Sequence, residues 1–239
     1  MQIAALVFPN MDQMDFTGPF EVLSRLPDAK VHVVWKELTP IRDLFGLVLT
    51  PTATLHTDLP GLDVLIVPGG LGQLALMDDE PVLSWLRARA AEARYILSVC
   101  TGALTLGAAG LLQGRRATTH WSSFHLLPYF GAIPEEARVV IDGNLISTAG
   151  VSAGIDGSLR LAAMLAGDAA AQRIQLDIEY APEPPFDSGT PARAPAPILN
   201  ASREGASRLT AARLDSAQRV ANRLRTAGSA APTISIGPS

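Results

Sequence analysis

Two short apolar segments, each followed at once by a glycine-containing turn, constrain the fold of this chain most strongly. The first reads DVLIV at residues 63–67 and runs into Pro-Gly-Gly, and the second reads YILSV at residues 95–99 and runs into Cys-Thr-Gly. Continuous aliphatic runs of this length are typical of strands that are buried on both faces of a parallel sheet. They predict central strands whose carboxyl ends face the edge at which open α/β sheets bind ligands.

Further short strands alternate with helical patterns as far as about residue 180. Such alternation predicts an α/β fold with a mostly parallel sheet that is covered by helices on both faces. The other predicted strands are residues 3–8, 31–35, 46–49, 116–119, 138–141 and 145–148. The predicted helices are residues 17–26, 81–93, 102–112, 154–165 and 168–180, the last with Asp168 as its N-cap.

The composition changes near residue 182, where six prolines fall within residues 182–197 and an Arg- and Ala-rich stretch follows at residues 201–225. We therefore predict a catalytic domain over residues 1–190. Residues 191–239 are predicted to be a Pro-rich linker and a C-terminal helix or tail, partly disordered or packed on the body or on a partner subunit. The seven arginines after residue 182 are too dispersed to predict a nucleic-acid-binding arm.

Composition limits the possible partners and compartment. The net charge of −4 argues against nucleic acid or an anionic membrane as the main partner, and no run of 18 apolar residues predicts a membrane span. One cysteine excludes an intramolecular disulfide, and the N-terminal residues lack the basic segment of a signal peptide. We expect a cytoplasmic protein.

Cys100 stands at the strongest local motif, Ser-Val-Cys-Thr-Gly-Ala at residues 98–103. A buried strand ends there and a helix begins at once, so the cysteine is predicted to occupy a cramped turn with its side chain exposed at the sheet edge. Gly102 supplies the small neighbour that such a turn requires. The free N–H groups and partial positive charge of the helix N-terminus favour a thiolate nucleophile. The alternative is a small buried core cysteine.

Three other features supply candidate groups for the same edge. Gly69 and Gly70 follow a buried strand, where their amides either form a second anion-binding element facing Cys100 or belong to an ordinary glycine turn. Asp15 is predicted in the loop after the first strand, either as a proton-transfer group with a raised pKa or as a helix cap. His120 suggests a Cys–His pair but is more often a hydrogen-bonded structural residue. The histidine spacing predicts no metal site.

Four motifs together resemble the ThiJ/PfpI superfamily, which is similar in fold to class I glutamine amidotransferases. They are QMDFTGPFEVL around Asp15, VPGGLG at residues 67–72, SVCTGALTLGAAGLL at residues 98–112 and GRRATTHW at residues 114–121. Two further stretches, VHVVWKE and RIQLDIEYAPEPPF, resemble isocyanide hydratases within that superfamily. The resemblance implies a flavodoxin-like three-layer sandwich, a small-molecule isocyanide substrate and a homodimer.

The resemblance also implies roles for individual residues. Cys100 matches the nucleophile that attacks the isocyanide carbon to form a thioimidate, and Asp15 matches the acid/base group. Thr101 would orient the site, Gly70 and Leu71 would lie at the oxyanion loop, and no cofactor would be required. Water added to R–N≡C then gives an N-substituted formamide.

Several alternatives stay open at this point. Thr101 stands where PfpI-type proteases carry histidine, so peptidase activity is not expected, and Asp15 rather than glutamate favours the hydratase branch. A glyoxalase-like enzyme or an amidase would keep Cys100 and change the substrate. A ligand-binding regulatory domain is a third reading, although only about 57 residues follow the core where AraC-like regulators carry a DNA-binding pair of helix-turn-helix units. Cys100 could also serve as a redox sensor.

Overall fold

The computed structural model describes residues 1–59 and 61–229, and the main body is a seven-stranded sheet between two layers of helices. The strands are β1 (Gln2–Leu6), β2 (Lys30–Trp35), β3 (Ile41–Arg42), β4 (Val48–Leu49), β5 (Ala53–Thr54), β6 (Val64–Val67), β7 (Tyr95–Val99), β8 (Arg116–Ala117), β9 (Ile133–Pro134), β10 (Val139–Asp142) and β11 (Leu145–Thr148). The helices are α1 (Met14–Leu23), α2 (Gln73–Leu76), α3 (Glu80–Glu92), α4 (Gly102–Ala108), α5 (Ala153–Ala166), α6 (Asp168–Asp177) and α7 (Ala196–Ser229), with a 3₁₀ segment at Trp121–Phe130.

The strand order in the main sheet is β10-β11-β7-β6-β1-β2-β5, and every neighbouring pair is parallel except β10 with β11. The central strands β6 and β7 are almost wholly buried, as their aliphatic sequences predict. Because they lie side by side, with Val67 paired to Ser98, the turns that follow them meet at one edge. The predicted parallel α/β sandwich is therefore confirmed.

The helices form two groups that cover the two faces of this sheet. One group consists of α1, α5 and α6, which pack on one another, and α5 also contacts β7 and β11. The other consists of α2, α3, α4, α7 and the 3₁₀ segment, and α4 contacts β6 and β7. A three-layer α/β sandwich of this kind brings helix N-termini to the same edge as the strand carboxyl ends.

Several element boundaries differ from the sequence prediction. Helix α1 begins at Met14 rather than residue 17, because the Asp12 side chain accepts a hydrogen bond from the Met14 N–H (3.1 Å) and starts the turn earlier. Asp168 lies inside the first turn of α6, where Gly167 occupies the N-cap position, so the predicted cap is wrong. Helix α4 ends at Ala108, since Gly110 adopts a φ of +81° that breaks the helix.

The C-terminal segment forms one long helix on the body of the molecule. Helix α7 packs against the 3₁₀ segment, α2 and α4, with Ala217 and Val220 fully buried. Arg219 and Arg223 bind the Asp78 carboxylate, and Arg223 also donates to the Met77 carbonyl. Residues 230–239 of the predicted linker and tail lie outside the described residues, so whether they are disordered stays a prediction. The division of the chain at residue 190 stays a prediction.

Candidate active site

The turn between β7 and α4 holds Cys100 in a strained backbone conformation. Its φ is +55°, in the left-handed region that side-chain-bearing residues rarely adopt. The Cys100 N–H donates to the Thr148 carbonyl (3.2 Å), and the Cys100 carbonyl accepts from the Thr119 hydroxyl (2.7 Å), so both sides of the turn are fixed. The side chain is not exposed as predicted, because only 7% of the residue is accessible.

Gly102 allows this turn to lie directly against the end of β6. A Cβ atom placed on Gly102 would stand 2.0 Å from the Val67 carbonyl oxygen, a distance that no side chain tolerates. The absence of a side chain therefore brings the cysteine turn against the glycine loop that follows β6. This close approach, rather than the freedom of φ, explains why glycine occupies the position.

Replacing Gly102 by alanine is expected to destabilise the protein by about 3 kcal/mol or more, because backbone must shift to admit the new methyl group. Gly205→Ala is the matched control: it lies on the exposed part of α7 with nothing within 4 Å, and it should stabilise by up to about 1 kcal/mol. Urea unfolding of both variants measures the difference. Equal responses would contradict the packing argument.

In the loop of Gly69, Gly70 and Leu71, two backbone N–H groups donate to side chains and the third has no protein acceptor among the described residues. The Gly69 N–H donates to Asp15 Oδ2 (2.8 Å), and the Gly70 N–H donates to Thr101 Oγ1 (3.2 Å). Within the described residues the Leu71 N–H donates to no protein group. Of the three predicted anion-binding positions, the structure therefore leaves Leu71 open to a ligand and uses the two glycines to hold Asp15 and Thr101.

Asp15 is a fully buried carboxyl group in the first turn of α1, not in the loop where the sequence analysis placed it. Its Oδ2 atom accepts the Gly69 N–H, whereas Oδ1 has no hydrogen-bond partner among the residues that the structure describes. The pKa of Asp15 is raised to about 7, chiefly by burial and secondly by the neighbouring Asp12 carboxylate, against the opposing effects of the Gly69 N–H and the Cys100 thiol. A group with this pKa can both give and accept a proton near neutral pH.

The Cys100 thiol lies beside Asp15, and the two groups titrate together. Burial raises the pKa of the thiol well above its ordinary value, and the Asp15 carboxylate raises it further. The Thr101 N–H and the Arg213 guanidinium lower it. The helix N-terminus therefore acts in the predicted direction but does not outweigh burial. Above about pH 7 Asp15 is ionised while the thiol keeps its proton, so the pair then holds one proton, and transfer of that proton to Asp15 generates the thiolate.

His120 does not form the Cys–His pair that the sequence suggested. Its Nδ1 atom accepts the Ser122 N–H (3.3 Å) and lies 2.8 Å from the Ser122 hydroxyl, so the ring caps the 3₁₀ segment. Burial and, to a lesser extent, the charge of Arg213 lower the pKa of His120 to about 4. The neutral ring lies beside the Trp121 ring in a tilted arrangement, with the ring centroids 5.4 Å apart.

Arg213 of α7 is a site residue that the sequence analysis missed. Its guanidinium is buried and reaches Gly70 and Thr101 from the side of the molecule opposite to Asp15's helix layer. A signal was present, because Arg213 stands in the same helical stripe as Ala217, Val220 and Leu224, where an apolar residue is expected.

Neither a metal cluster nor a membrane helix is found in the described part of the chain. No group of three or more His, Cys, Asp or Glu side chains there is placed to hold a metal ion. Across residues 1–59 and 61–229, none of the helices has the length and apolar character needed to cross a bilayer.

The chain is similar in sequence to a protein family and to an individual curated relative. The family model of the DJ-1/PfpI family matches residues 1–164. An isonitrile hydratase from Pseudomonas putida is 52% identical over 224 residues, which cover 94% of this chain and 98% of the relative.

Solved structures of ThiJ/PfpI and DJ-1 superfamily proteins have a similar backbone fold. A ThiJ/PfpI family protein from Pseudomonas syringae has a TM-score of 0.87 and 45% sequence identity, covering 92% of this chain and 90% of that one. A DJ-1 superfamily protein from Salmonella typhimurium has a TM-score of 0.68 and 28% identity over 75% of this chain and 98% of its own. The Pseudomonas syringae likeness extends well beyond the 164 residues of the family match.

Proposed function

This chain belongs to the DJ-1/PfpI family, and from that premise we propose that it is an isocyanide hydratase, which adds water to R–N≡C to give an N-substituted formamide. The 52% identity with an isonitrile hydratase over nearly the full length of both chains supports the reaction. The observation that carries the mechanism is the buried Asp15 carboxyl group, whose pKa is raised to about 7 and which interacts with the Cys100 thiol at the turn after β7. Lyase chemistry of this type needs one nucleophile and one proton-transfer group.

The first half of the proposed cycle forms a covalent intermediate. The Cys100 thiolate attacks the terminal isocyanide carbon and forms a C–S bond, while the protonated Asp15 delivers its proton to the same carbon. The product is a neutral thioimidate, R–N=CH–S–Cys100, beside an ionised Asp15. Covalent attack divides one difficult addition of water into two easier steps and requires no cofactor.

The second half releases the formamide. Asp15 takes a proton from water as the hydroxyl adds to the thioimidate carbon, and it passes that proton to nitrogen. The tetrahedral adduct then collapses: its O–H proton returns to Asp15, the C–S bond breaks and the electron pair leaves with the Cys100 sulfur. The protein is restored with Asp15 protonated and Cys100 as the thiolate, and R–N≡C and one water have become R–NH–CHO.

The loop residues have separate parts in this proposal. In this proposal the Leu71 N–H, which donates to no protein group among the described residues, would donate to the oxygen that becomes the formamide carbonyl, in the manner of an oxyanion donor. Gly69 holds Asp15 through its N–H, and Gly70 holds Thr101 in the same way. Gly102 lets the two turns approach, and the neutral His120 ring caps the 3₁₀ segment.

We also propose that the enzyme is a homodimer and acts in the cytoplasm, as the resemblance implies. An apolar hairpin of β3 and β4 supports the dimer, because Phe45 is 85% exposed at its tip and Leu44 donates to the Met11 carbonyl beside the site. A reactive thiol functions best in a reducing compartment, which the cytoplasm provides. Light scattering after gel filtration should give twice the mass of one chain.

The test of the proposed function is turnover of a simple aryl isocyanide by the purified protein, followed by chromatography of the formamide. Formamide production with no turnover of methylglyoxal supports the hydratase. Turnover of methylglyoxal alone would move the assignment to the glyoxalase-like branch. Absence of both activities together with salt-sensitive binding of double-stranded DNA would indicate a regulatory domain instead.

The pH dependence of turnover should follow the Cys100–Asp15 pair. Below about pH 7 Asp15 and Cys100 both carry protons, so kcat/KM is expected to rise with pH through about 7 and then to level off. Asp12→Asn removes a charge that raises the pKa of Asp15, so it should shift the rise to lower pH and leave the plateau within about threefold. A profile that is unchanged by Asp12→Asn would contradict the assignment of the lower limb to Asp15.

A further inference from the structure

Arg213 is a buried cation that reaches the site from the C-terminal helix. Only 5% of the residue is accessible. Its Nη2 atom donates to the Gly70 carbonyl (2.7 Å) and to Thr101 Oγ1 (3.4 Å), its Nε atom donates to Gln73 Oε1 (3.2 Å), and its Nη1 atom lies 3.5 Å from the Ser123 hydroxyl. One side chain thus joins the glycine loop, the residue after the nucleophile, α2 and the 3₁₀ segment.

The charge of this guanidinium has no carboxylate partner. Among residues 1–59 and 61–229, no Asp or Glu lies within ion-pair distance of Arg213, although α7 carries Arg219 and Arg223 in ion pairs with Asp78. Burial of an unpaired cation is costly, and neutral oxygen acceptors offset only part of that cost. A buried cation without an anionic partner is therefore expected where an anion forms during the working cycle.

The anion that Arg213 can stabilise during the proposed reaction is the Cys100 thiolate. Three charged groups act on this sulfur. They are Asp12, which precedes α1, Asp15, which lies within α1, and Arg213 of α7. His120 from the 3₁₀ segment is neutral. Arg213 is thus the one cation that opposes two carboxyl groups around the nucleophile in the described part of the chain, and it interacts favourably with the sulfur.

The Thr101 hydroxyl is oriented by the same contact. Its oxygen accepts the Gly70 N–H and a guanidinium N–H, which use its two lone pairs. The hydroxyl proton is then left to donate to a substrate or a water. The Gly70 carbonyl is held at the same time, which fixes the loop that presents the free Leu71 N–H.

We propose that Arg213 is a positioning residue of the hydratase site, which holds the Gly70 loop and the Thr101 hydroxyl in their working geometry and supplies the positive charge that stabilises the Cys100 thiolate. The proposal rests on the proposed function for its effect on turnover, but its effect on the thiol does not. It also gives helix α7 a part in the reaction, although that helix lies beyond residues 1–164 of the family match.

The test compares Arg213→Gln and Arg213→Lys with Arg223→Gln as the matched control. Arg223 lies on the same helix and also donates to a carbonyl, Met77, but it contacts no residue of the site. The first readout is the rate at which iodoacetamide alkylates Cys100, measured from pH 6 to 10, and it requires no isocyanide. The second is kcat and KM for an aryl isocyanide, with circular dichroism and thermal unfolding to verify the fold.

Arg213→Gln is expected to raise the pKa of the Cys100 thiol and so to slow its alkylation by about tenfold at each pH below that pKa, and to lower kcat by roughly 10- to 100-fold. Arg213→Lys should keep the thiol pKa close to that of the wild type, because its charge is retained, and still lose much of kcat, because one ammonium cannot hold Gly70 and Thr101 together. Arg223→Gln should change neither readout by more than about twofold.

Two results would overturn the proposal. A folded Arg213→Gln variant with an unchanged thiol profile would reduce Arg213 to an anchor of α7. If Arg213→Gln does not fold, the test rests on Arg213→Lys. A kcat of the Arg213→Lys variant equal to that of the wild type would contradict the positioning role. A wild-type protein without isocyanide turnover would overturn the proposed function only, since the alkylation profiles would still measure the effect of Arg213 on the thiol.

Discussion

Replacing Cys100 by alanine is expected to lower kcat/KM for an aryl isocyanide by about 10⁵-fold, to the limit of detection. The variant retains Asp15 and the Leu71 N–H, but it lacks the thiol that forms the covalent thioimidate. The fold should persist, because alanine at φ +55° carries about the same backbone strain as cysteine and removes one sulfur atom from a buried turn. The measurement is initial-rate turnover with thermal unfolding of both proteins.

Intact-mass spectrometry tests the role of Cys100 without steady-state rates, because it detects the covalent intermediate directly. Wild-type protein that is quenched in acid during turnover should carry one additional substrate mass, and Cys100→Ala should carry none. Cys100→Ser serves as the conservative control: it keeps a nucleophilic oxygen, yet it should remain inactive because a hydroxyl is far less acidic than a thiol. Wild-type turnover by either variant would show that the reaction does not pass through Cys100.

The central sheet was predictable because its strands are buried on both faces. Strands β7 and β11 have the bounds that the sequence indicates, and β6 differs by one residue. Double burial permits only aliphatic and small residues, so the sequence signal is strong. The two-residue strands β3, β5 and β9 lie at edges, where long-range pairing rather than composition decides the structure, and the sequence pattern did not show them as such.

The turn at Cys100 was predictable for a different reason. A buried strand followed at once by Cys-Thr-Gly leaves few backbone solutions, and the observed φ of +55° is one of them. The hydrogen bonds of the Gly69 and Gly70 N–H groups were not predictable, because their acceptors lie on other elements, Asp15 in α1 and Thr101 at the start of α4. The high pKa of the thiol also depends on burial, which a local motif does not determine.

Arg213 escaped prediction because its role depends on a contact across more than a hundred residues of sequence. The spacing of Ala217, Val220 and Leu224 indicates a docked helix, but the sequence pattern alone assigns no role to an arginine on that helix. Continuing the spacing back by four residues reaches Arg213, on the buried face. A charged residue within an apolar helical stripe is therefore the signal that deserves a search for a buried polar partner.

Replacing Asp15 by asparagine is expected to lower kcat by roughly 10²- to 10⁴-fold, the usual contribution of a positioned proton-transfer group. Asparagine can still accept the Gly69 N–H, so the loop is held, but it cannot carry a proton to the isocyanide carbon or take one from water. The double variant with Cys100→Ala should be no slower than Cys100→Ala alone, because the two groups act as one unit. Additive losses would contradict the shared-proton mechanism.

The same substitution is expected to stabilise the protein at neutral pH. The pKa of Asp15 is raised in the folded state from 3.8 to about 7, so the folded protein binds the proton more tightly than the unfolded chain, and stability falls as pH rises between these values. At about 1.4 kcal/mol per pKa unit, a rise of about three units means that the buried charge costs about 4 kcal/mol above pH 7, and Asp15→Asn removes that cost. Urea unfolding should show a gain at pH 8 that vanishes near pH 4. A gain that is equal at both pH values would mean that burial of a charge at Asp15 is not its source.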